Sequence, residues 1–287
     1  SFHWASRFLG TRMGFNAARL YAFCRLLDDM ADNDIPDGAA RLARIGADIA
    51  EGRKGEDPAF AVFHSFMIEM RFSPDVLSAL IEGLVMDQAD DVCLEDEAAL
   101  LRYAYRVAGT VGLLMCDVLE CRDKSARAHA IDLGIGMQLT NIARDVLEDA
   151  QMGRRYLPES WTGQLSPDQI VACAKAPESQ NYKQIQAAAD RLLTLADQYY
   201  ESGRLGLGFL PVRARYCIAV AAGVYRSIGT KLRNRKLRWG DGRVVTSKSE
   251  KLSASLQALS KLYRLPKATH NSNLHAPLTS LLEEALK

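Results

Sequence analysis

The sequence predicts an all-α fold, and three observations carry that reading. Of 287 residues only nine are proline, and none falls between Pro74 and Pro158, so no proline breaks a helix in that interval. Apolar residues within it recur at helical spacing, as in Leu133, Met137, Ile142 and Val146, and Ala, Leu, Arg and Met dominate, which favours helix over strand. Alternating β-branched runs are nearly absent, and Arg243-Val244-Val245-Thr246 is too short to build a sheet.

The elements follow in chain order. The opening SFHWASRFLGTRMGF lacks a basic region followed by a continuous apolar run, so it does not read as a signal peptide. Tyr21 to Asp32 reads as helix. Asp57-Pro58 and Ser73-Pro74 each set a capping side chain before a proline at the first helical position. Asp87, Asp90 and Asp91, followed by Glu95, Asp96 and Glu97, read as a solvated helix end. Gln138 to Asp149 reads as one helix. Ser166-Pro167-Asp168-Gln169 carries a capping box, and Ser247 with Glu250 repeats its spacing. Lys267 to His275 reads as a loop before a last short helix. No linker stands out, so the expectation is one all-α domain over 1–287.

Composition narrows the function classes. The formal net charge is +1, with 48% apolar and 25% charged residues. Disorder is excluded as the main state, and so is nucleic-acid binding through bulk charge. No apolar window is long enough for a membrane span. Six cysteines without a C-x-x-C pair read as buried thiols of a reducing cytoplasm. The five histidines, His3, His64, His129, His270 and His275, show no ligand spacing.

The chemistry concentrates in two aspartate clusters. In Tyr21-Ala-Phe-Cys-Arg-Leu-Leu-Asp-Asp-Met-Ala-Asp32, Asp28 and Asp32 stand four apart on one helix face, where like charges repel by about a few tenths of a kcal/mol. A bound divalent cation reverses that sign, since Mg²⁺ prefers carboxylates and substrate phosphates. The second cluster repeats the spacing with Asp145 and Asp149, and Asn141 and Gln138 extend the polar stripe backwards. A carboxylate stripe in so apolar a helix is costly unless paired. A solvated charged face is the alternative reading for either motif alone. Two facing pairs would hold metal ions that bind a diphosphate and make it a leaving group. Arg25, Arg144, Arg154 and Arg155 are candidate phosphate ligands. Losing diphosphate from an allylic substrate leaves a carbocation, so the rest of the site must exclude water and offer π-faces. Phe2, Tyr21, Tyr103, Tyr156 and Tyr225 are the candidates.

These motifs resemble the head-to-head trans-isoprenyl diphosphate synthases, the squalene and phytoene synthase family. The resemblance runs from Ser1 to about Lys251 and is carried by residues 21–32 and 138–149. Gly153-Arg-Arg-Tyr-Leu-Pro158, Tyr103 to Gly112 (YAYRVAGTVG) and Ser1-Phe2 add to it. It implies an isoprenoid synthase bundle of helices around a deep central cavity that takes two prenyl diphosphates. One ionises, its allylic cation is attacked by the double bond of the other, and a cyclopropyl diphosphate forms. That intermediate ionises again and rearranges to a 1'-1 linked product. The resemblance further implies that Asp28, Asp32, Asp145 and Asp149 hold Mg²⁺ or Mn²⁺. Arg25, Gln138, Asn141, Arg144 and Arg243 would contact diphosphate or its metals. Tyr21, Tyr103, Tyr156 and Tyr225 would assist ionisation or border the cation. Phe2, Val107, Val111, Gly112, Ala130, Leu133, Gly134 and Met137 would line the prenyl channel. The two glycines either leave room for the chain or allow close helix packing.

Within the family, Leu80 to Asp87, Asn141 to Asp145 and Met152 to Pro158 resemble the bacterial phytoene synthase branch. That branch implies geranylgeranyl diphosphate as substrate, phytoene as product and no NADPH; the farnesyl-using squalene, dehydrosqualene and presqualene diphosphate synthases are the alternative. The basic run Lys231, Arg233, Arg235, Lys236 and Arg238 is a candidate for peripheral membrane contact, suited to lipophilic reactants; a solvated face or a lid over diphosphate are its alternatives. Leu147 stands where the family commonly has Gly, and is expected on the face away from the metals.

Overall fold

The computed structural model describes residues 9–32, 34–89, 92–260, 262, 265 and 269–285. Phe2 and His3, with Asp90 and Asp91, lie outside them, as do Lys267 and Ala268 of the predicted C-terminal loop. Helices follow one another along the chain. They are α1 (Thr11–Ala31), α2 (Gly38–Ala50), α3 (Pro58–Met70) and α4 (Pro74–Met86). Next come α5 (Glu97–Ala104), a π-helical segment (Tyr105–Gly109), α6 (Thr110–Val118), α7 (Ala126–Arg144) and α8 (Val146–Gln151). The remainder are α9 (Glu159–Thr162), α10 (Pro167–Cys173), α11 (Gln180–Gly206), α12 (Val212–Asn234), α13 (Lys248–Ser260) and α14 (Thr279–Ala285), the last preceded by a 3₁₀ stretch at Ser272–Leu278.

The predicted starts hold with one qualification. Asp57 accepts from the amides of Ala59 and Phe60 at 3.0 and 3.3 Å and opens α3. Ser166 and Gln169 close their capping box on α10. Ser247 and Glu250 do the same on α13, at 2.6 and 3.2 Å. Ser73 precedes α4, but its side chain makes no capping bond.

The only strands among the described residues are β1 (Val92–Cys93) and β2 (Arg154–Arg155), paired in parallel. The sequence did not announce them, because a two-residue pair has no periodicity to read. Their effect is to tie the segment after α4 to the chain leaving α8, which sets Tyr156 against Tyr103. Helix α7 is the axis of the bundle: α6, the π segment, α11 and α12 all pack on it. All six cysteines are free thiols; Cys93 is exposed, against expectation. No helix among the described residues is long and apolar enough to cross a membrane.

The α6–α7 crossing decides the glycine question. A Cβ on Gly112 would lie 2.2 Å from the Ala130 carbonyl oxygen, and one on Gly134 would lie 2.3 Å from that of Ala108. Backbone meets backbone there, so both glycines are required by close packing. In an ordinary helix Gly→Ala stabilises by about 1 kcal/mol. Here the sign reverses: Gly134→Ala is expected to cost about 1–3 kcal/mol of unfolding free energy by overpacking, read from chemical denaturation. A stability gain would show that the crossing is looser than described.

Candidate active site

The two aspartate pairs come from the ends of α1 and α7. Asp28 lies in the last turn of α1, and Asp32 caps it. Asp145 stands between α7 and α8 at φ −105°, ψ 16°, so the predicted single helix is broken at that residue. The hydrogen-bond ladder nevertheless continues: the Asp145 amide donates to the Asn141 carbonyl at 2.9 Å, and that of Asp149 to the Asp145 carbonyl at 2.8 Å. Asp149 therefore still follows Asp145 by one turn. Leu147 packs toward the core.

These carboxylates are poorly solvated. Burial, with Asp32, Asp29 and Asp87 adding to it and Arg25 opposing, pushes Asp28 up to about 7. Burial and then the charge of Asp145 push Asp149 up to about 8. Nearby, the Asn141 Oδ1 and Glu148 Oε2 atoms are buried without a hydrogen-bond partner among the described residues. Under-compensated carboxylates beside orphaned oxygen acceptors form a donor set that fits a hard divalent cation.

The arginines stand at this cluster, each on a carboxylate. Arg25 pairs with Asp29 at 2.6 Å and Arg154 with Asp32 at 2.7 Å. Arg144 grips Asp145 with two nitrogens, at 2.7 and 2.5 Å, and Arg243 reaches the same carboxylate at 3.0 Å. Arg155 is different. It is 4% exposed and donates to the carbonyls of Gly163 and Leu165 at 3.0 and 2.8 Å and to Glu159 at 3.1 Å. It is a buried strut rather than a phosphate ligand: its Nη1 and Nη2 are taken by those acceptors, and its Nε is buried with no partner among the described residues.

Below the carboxylates an apolar cavity of about 290 Å³ opens. Asp28, Gln138 and Asn141 border it, and Val107, Val111, Gly112, Ala130, Leu133, Gly134 and Met137 line its wall. Tyr21 and Tyr225 also line it. Tyr103 and Tyr156 do not. They stack on each other, centroids 4.8 Å apart and planes 19° apart, and both hydroxyls donate to Asp87, at 3.0 and 2.7 Å. Their place is beside the carboxylates: Tyr156 borders a small void with Asp149 and Arg154.

Asp87 is the residue the sequence reading misplaced. Expected on a solvated helix end, it is 9% exposed, and burial pushes its carboxyl up to about 6 against the pull of the two tyrosine hydrogen bonds. A signal was present. Leu80 and Leu84 are buried on α4, and Asp87 continues their face at the i, i+4, i+7 spacing. Glu95 and Asp96 are exposed, as expected.

A second group was missed altogether. His270 and His275 place their Nε2 atoms 2.7 Å from the two oxygens of Asp132, and Ser202 Oγ donates to the same carboxylate at 2.5 Å. His129 lies 3.0 Å from Ser202. One ligand atom each from Asp132, His270 and His275 falls within 4.8 Å of the others, close enough to share a metal ion. Burial would raise the Asp132 carboxyl, but hydrogen bonds from both histidines hold it below its ordinary value. No local spacing links position 132 to 270 and 275. The basic run is largely paired: Lys231 with Glu250, Arg233 with Asp190 and Asp197, and Arg238 with Asp241.

Comparison with known proteins gives concordant results. The squalene/phytoene synthase family model matches residues 1–250. A phytoene synthase of Pseudescherichia vulneris is 36% identical over 262 residues, covering 85% of this chain and 82% of its own. A 15-cis-phytoene synthase of Pantoea ananas is 35% identical over 293 residues, covering 94% and 92%. A solved dehydrosqualene synthase in complex with ligand superposes with TM-score 0.78 at 30% identity, over 91% of each chain. The squalene synthase HpnC from Alicyclobacillus acidocaldarius gives 0.67 at 21% identity, over 84% of this chain and 89% of its own, a likeness of fold.

Proposed function

The chain belongs to the squalene and phytoene synthase family, and from that premise we propose that it condenses two geranylgeranyl diphosphates head to head, through a cyclopropyl diphosphate, to phytoene and diphosphate. It is a prenyltransferase of the all-α isoprenoid synthase fold. The observation that carries the reading is an apolar cavity that opens below the buried carboxylates, with Asp28, Gln138 and Asn141 at its border. The identity of about 35% to proteins named 15-cis-phytoene synthase points to the C20 substrate. We read 1–287 as one domain.

Members of the family depend on a divalent metal. In our reading Asp28, Asp32, Asp145 and Asp149 hold Mg²⁺, with the Asn141 oxygen beside them. Bound there, the metal would neutralise the diphosphate and make it a leaving group. Arg25, Arg144 and Arg243 hold carboxylates in the ligand-free chain, and would turn to phosphate oxygens as those carboxylates take up metal. Gln138 and Asn141 fix the diphosphate at the cavity mouth. Val107, Val111, Ala130, Leu133 and Met137 keep water from the allylic cation. Tyr21 and Tyr225 border that cation with electron-rich rings. Peripheral contact with a bilayer belongs to the same reading, given lipophilic reactants, although the ion pairs of the 231–238 run reduce the charge it offers to lipid.

Product analysis tests the proposal. Purified protein with Mg²⁺ and no reductant is expected to convert geranylgeranyl diphosphate to a C40 hydrocarbon, identified by mass spectrometry. A C30 product formed only from farnesyl diphosphate would overturn the substrate assignment and leave the metal chemistry in place.

A further inference from the structure

We propose that Asp87 is a positioning residue for this reaction, acting through Tyr103 and Tyr156 by holding both hydroxyl protons so that each phenol oxygen can only accept on its remaining side. The inference rests on the condensation proposed above. Its basis is the convergence of three segments on one buried carboxylate. Asp87 caps the C-terminus of α4, Tyr103 lies at the end of α5 just before the π segment, and Tyr156 follows β2. The two hydroxyls take separate oxygens, Tyr103 the Oδ2 and Tyr156 the Oδ1, and the rings are stacked.

An ionised carboxylate accepts hydrogen bonds and donates none. A phenol has one proton, and in both tyrosines that proton is directed at Asp87. Neither can therefore donate a hydrogen bond to a departing diphosphate. What each presents to the reaction is a lone pair and a ring made more electron-rich by a charge-assisted hydrogen bond. That polarity suits developing positive charge. The stacking keeps both rings in one orientation, and the carboxylate offers a separate oxygen to each proton. Arg154, which pairs with Asp32, also lies close enough to Asp87 to offset its charge.

The test is a mutant cycle with a spectroscopic arm. Asp87→Asn keeps the shape but replaces one acceptor oxygen by a donor. It is expected to lower kcat by about 100-fold while KM moves less than about threefold. In a Tyr103→Phe/Tyr156→Phe background the same change is expected to alter kcat by less than about threefold, because the groups it acts through are gone. An undiminished loss in that background would overturn the proposal, as would recovery of Asp87→Asn by excess Mg²⁺, which would make Asp87 a metal ligand. The cycle is run with whichever prenyl diphosphate the unaltered protein consumes, so a wrong C20 assignment does not affect it. Ultraviolet resonance Raman of the unaltered protein against the double Phe variant needs no turnover. The tyrosine doublet isolated by that difference is expected to be that of strong hydrogen-bond donors, and an accepting or solvent-balanced doublet would refute the assignment.

Discussion

Asp149→Asn is expected to lower turnover by at least about 1000-fold while making the metal-free protein more stable at alkaline pH. Both effects come from one buried carboxylate. Asp149 is pushed up to about 8 by burial and by Asp145, and in an unfolded chain it would titrate near 3.8. A group raised on folding contributes stability that is complete below its unfolded value and is lost as pH rises through its folded value. Asp28, raised to about 7, acts in the same direction. The Tm of the metal-free protein should therefore fall from about pH 4 to about pH 8, between the unfolded and folded values of these two groups. Asp149→Asn should flatten that fall, and Mg²⁺ should offset it in the unaltered protein by binding the folded state. Calorimetry in chelator across that range, paired with steady-state rates, checks both. Normal turnover would sink the metal assignment; a Tm that rises with pH would sink the electrostatic account.

Val111→Trp is expected to produce the other large effect, by shortening the prenyl cavity. Val111 lines the wall on α6, opposite no backbone that could retreat, because Gly112 beside it already holds α7 in contact. The indole has to enter the cavity. Specificity, as the ratio of kcat/KM for C20 over C15 diphosphate, should fall by about 10-fold or more, since even single methylenes change such ratios by about that much. Competition between the two diphosphates, with circular dichroism to confirm the helices, measures it. An unchanged ratio would mean that the chain end does not reach Val111.

Much of this was legible because helical spacing is local information. Asp28 with Asp32, and Asp145 with Asp149, sit on one face wherever a helix forms, and the apolar residues around them marked those helices as buried. Asn141 and Gln138 followed by the same periodicity. The failures were of another kind. Asp87 was read as solvated, yet it is buried under the hydroxyls of Tyr103 and Tyr156, a meeting set by the β1–β2 pairing that two residues cannot advertise. His270 and His275 meet Asp132 only through the docking of the C-terminal segment, a tertiary event with no spacing to read. Arg154 and Arg155 are neighbours of identical type. One reaches an aspartate of the site and the other is buried against the carbonyls of Gly163 and Leu165, a difference of strand face that composition does not carry.

The π segment at Tyr105–Gly109 gives the cavity wall a property of its own. Such a segment is an α-helix carrying one residue more than its ladder needs. Loss of one residue from it would leave α5 and α6 coaxial, with Tyr103 and Gly112 still facing their partners; the same loss elsewhere in 97–118 would rotate everything beyond it by about 100°. Val107 lies on that segment and in the cavity wall. The length of the chain can therefore vary by one at this point, and the lining can be redrawn there, without disturbing the tyrosine on one side or the helix crossing on the other.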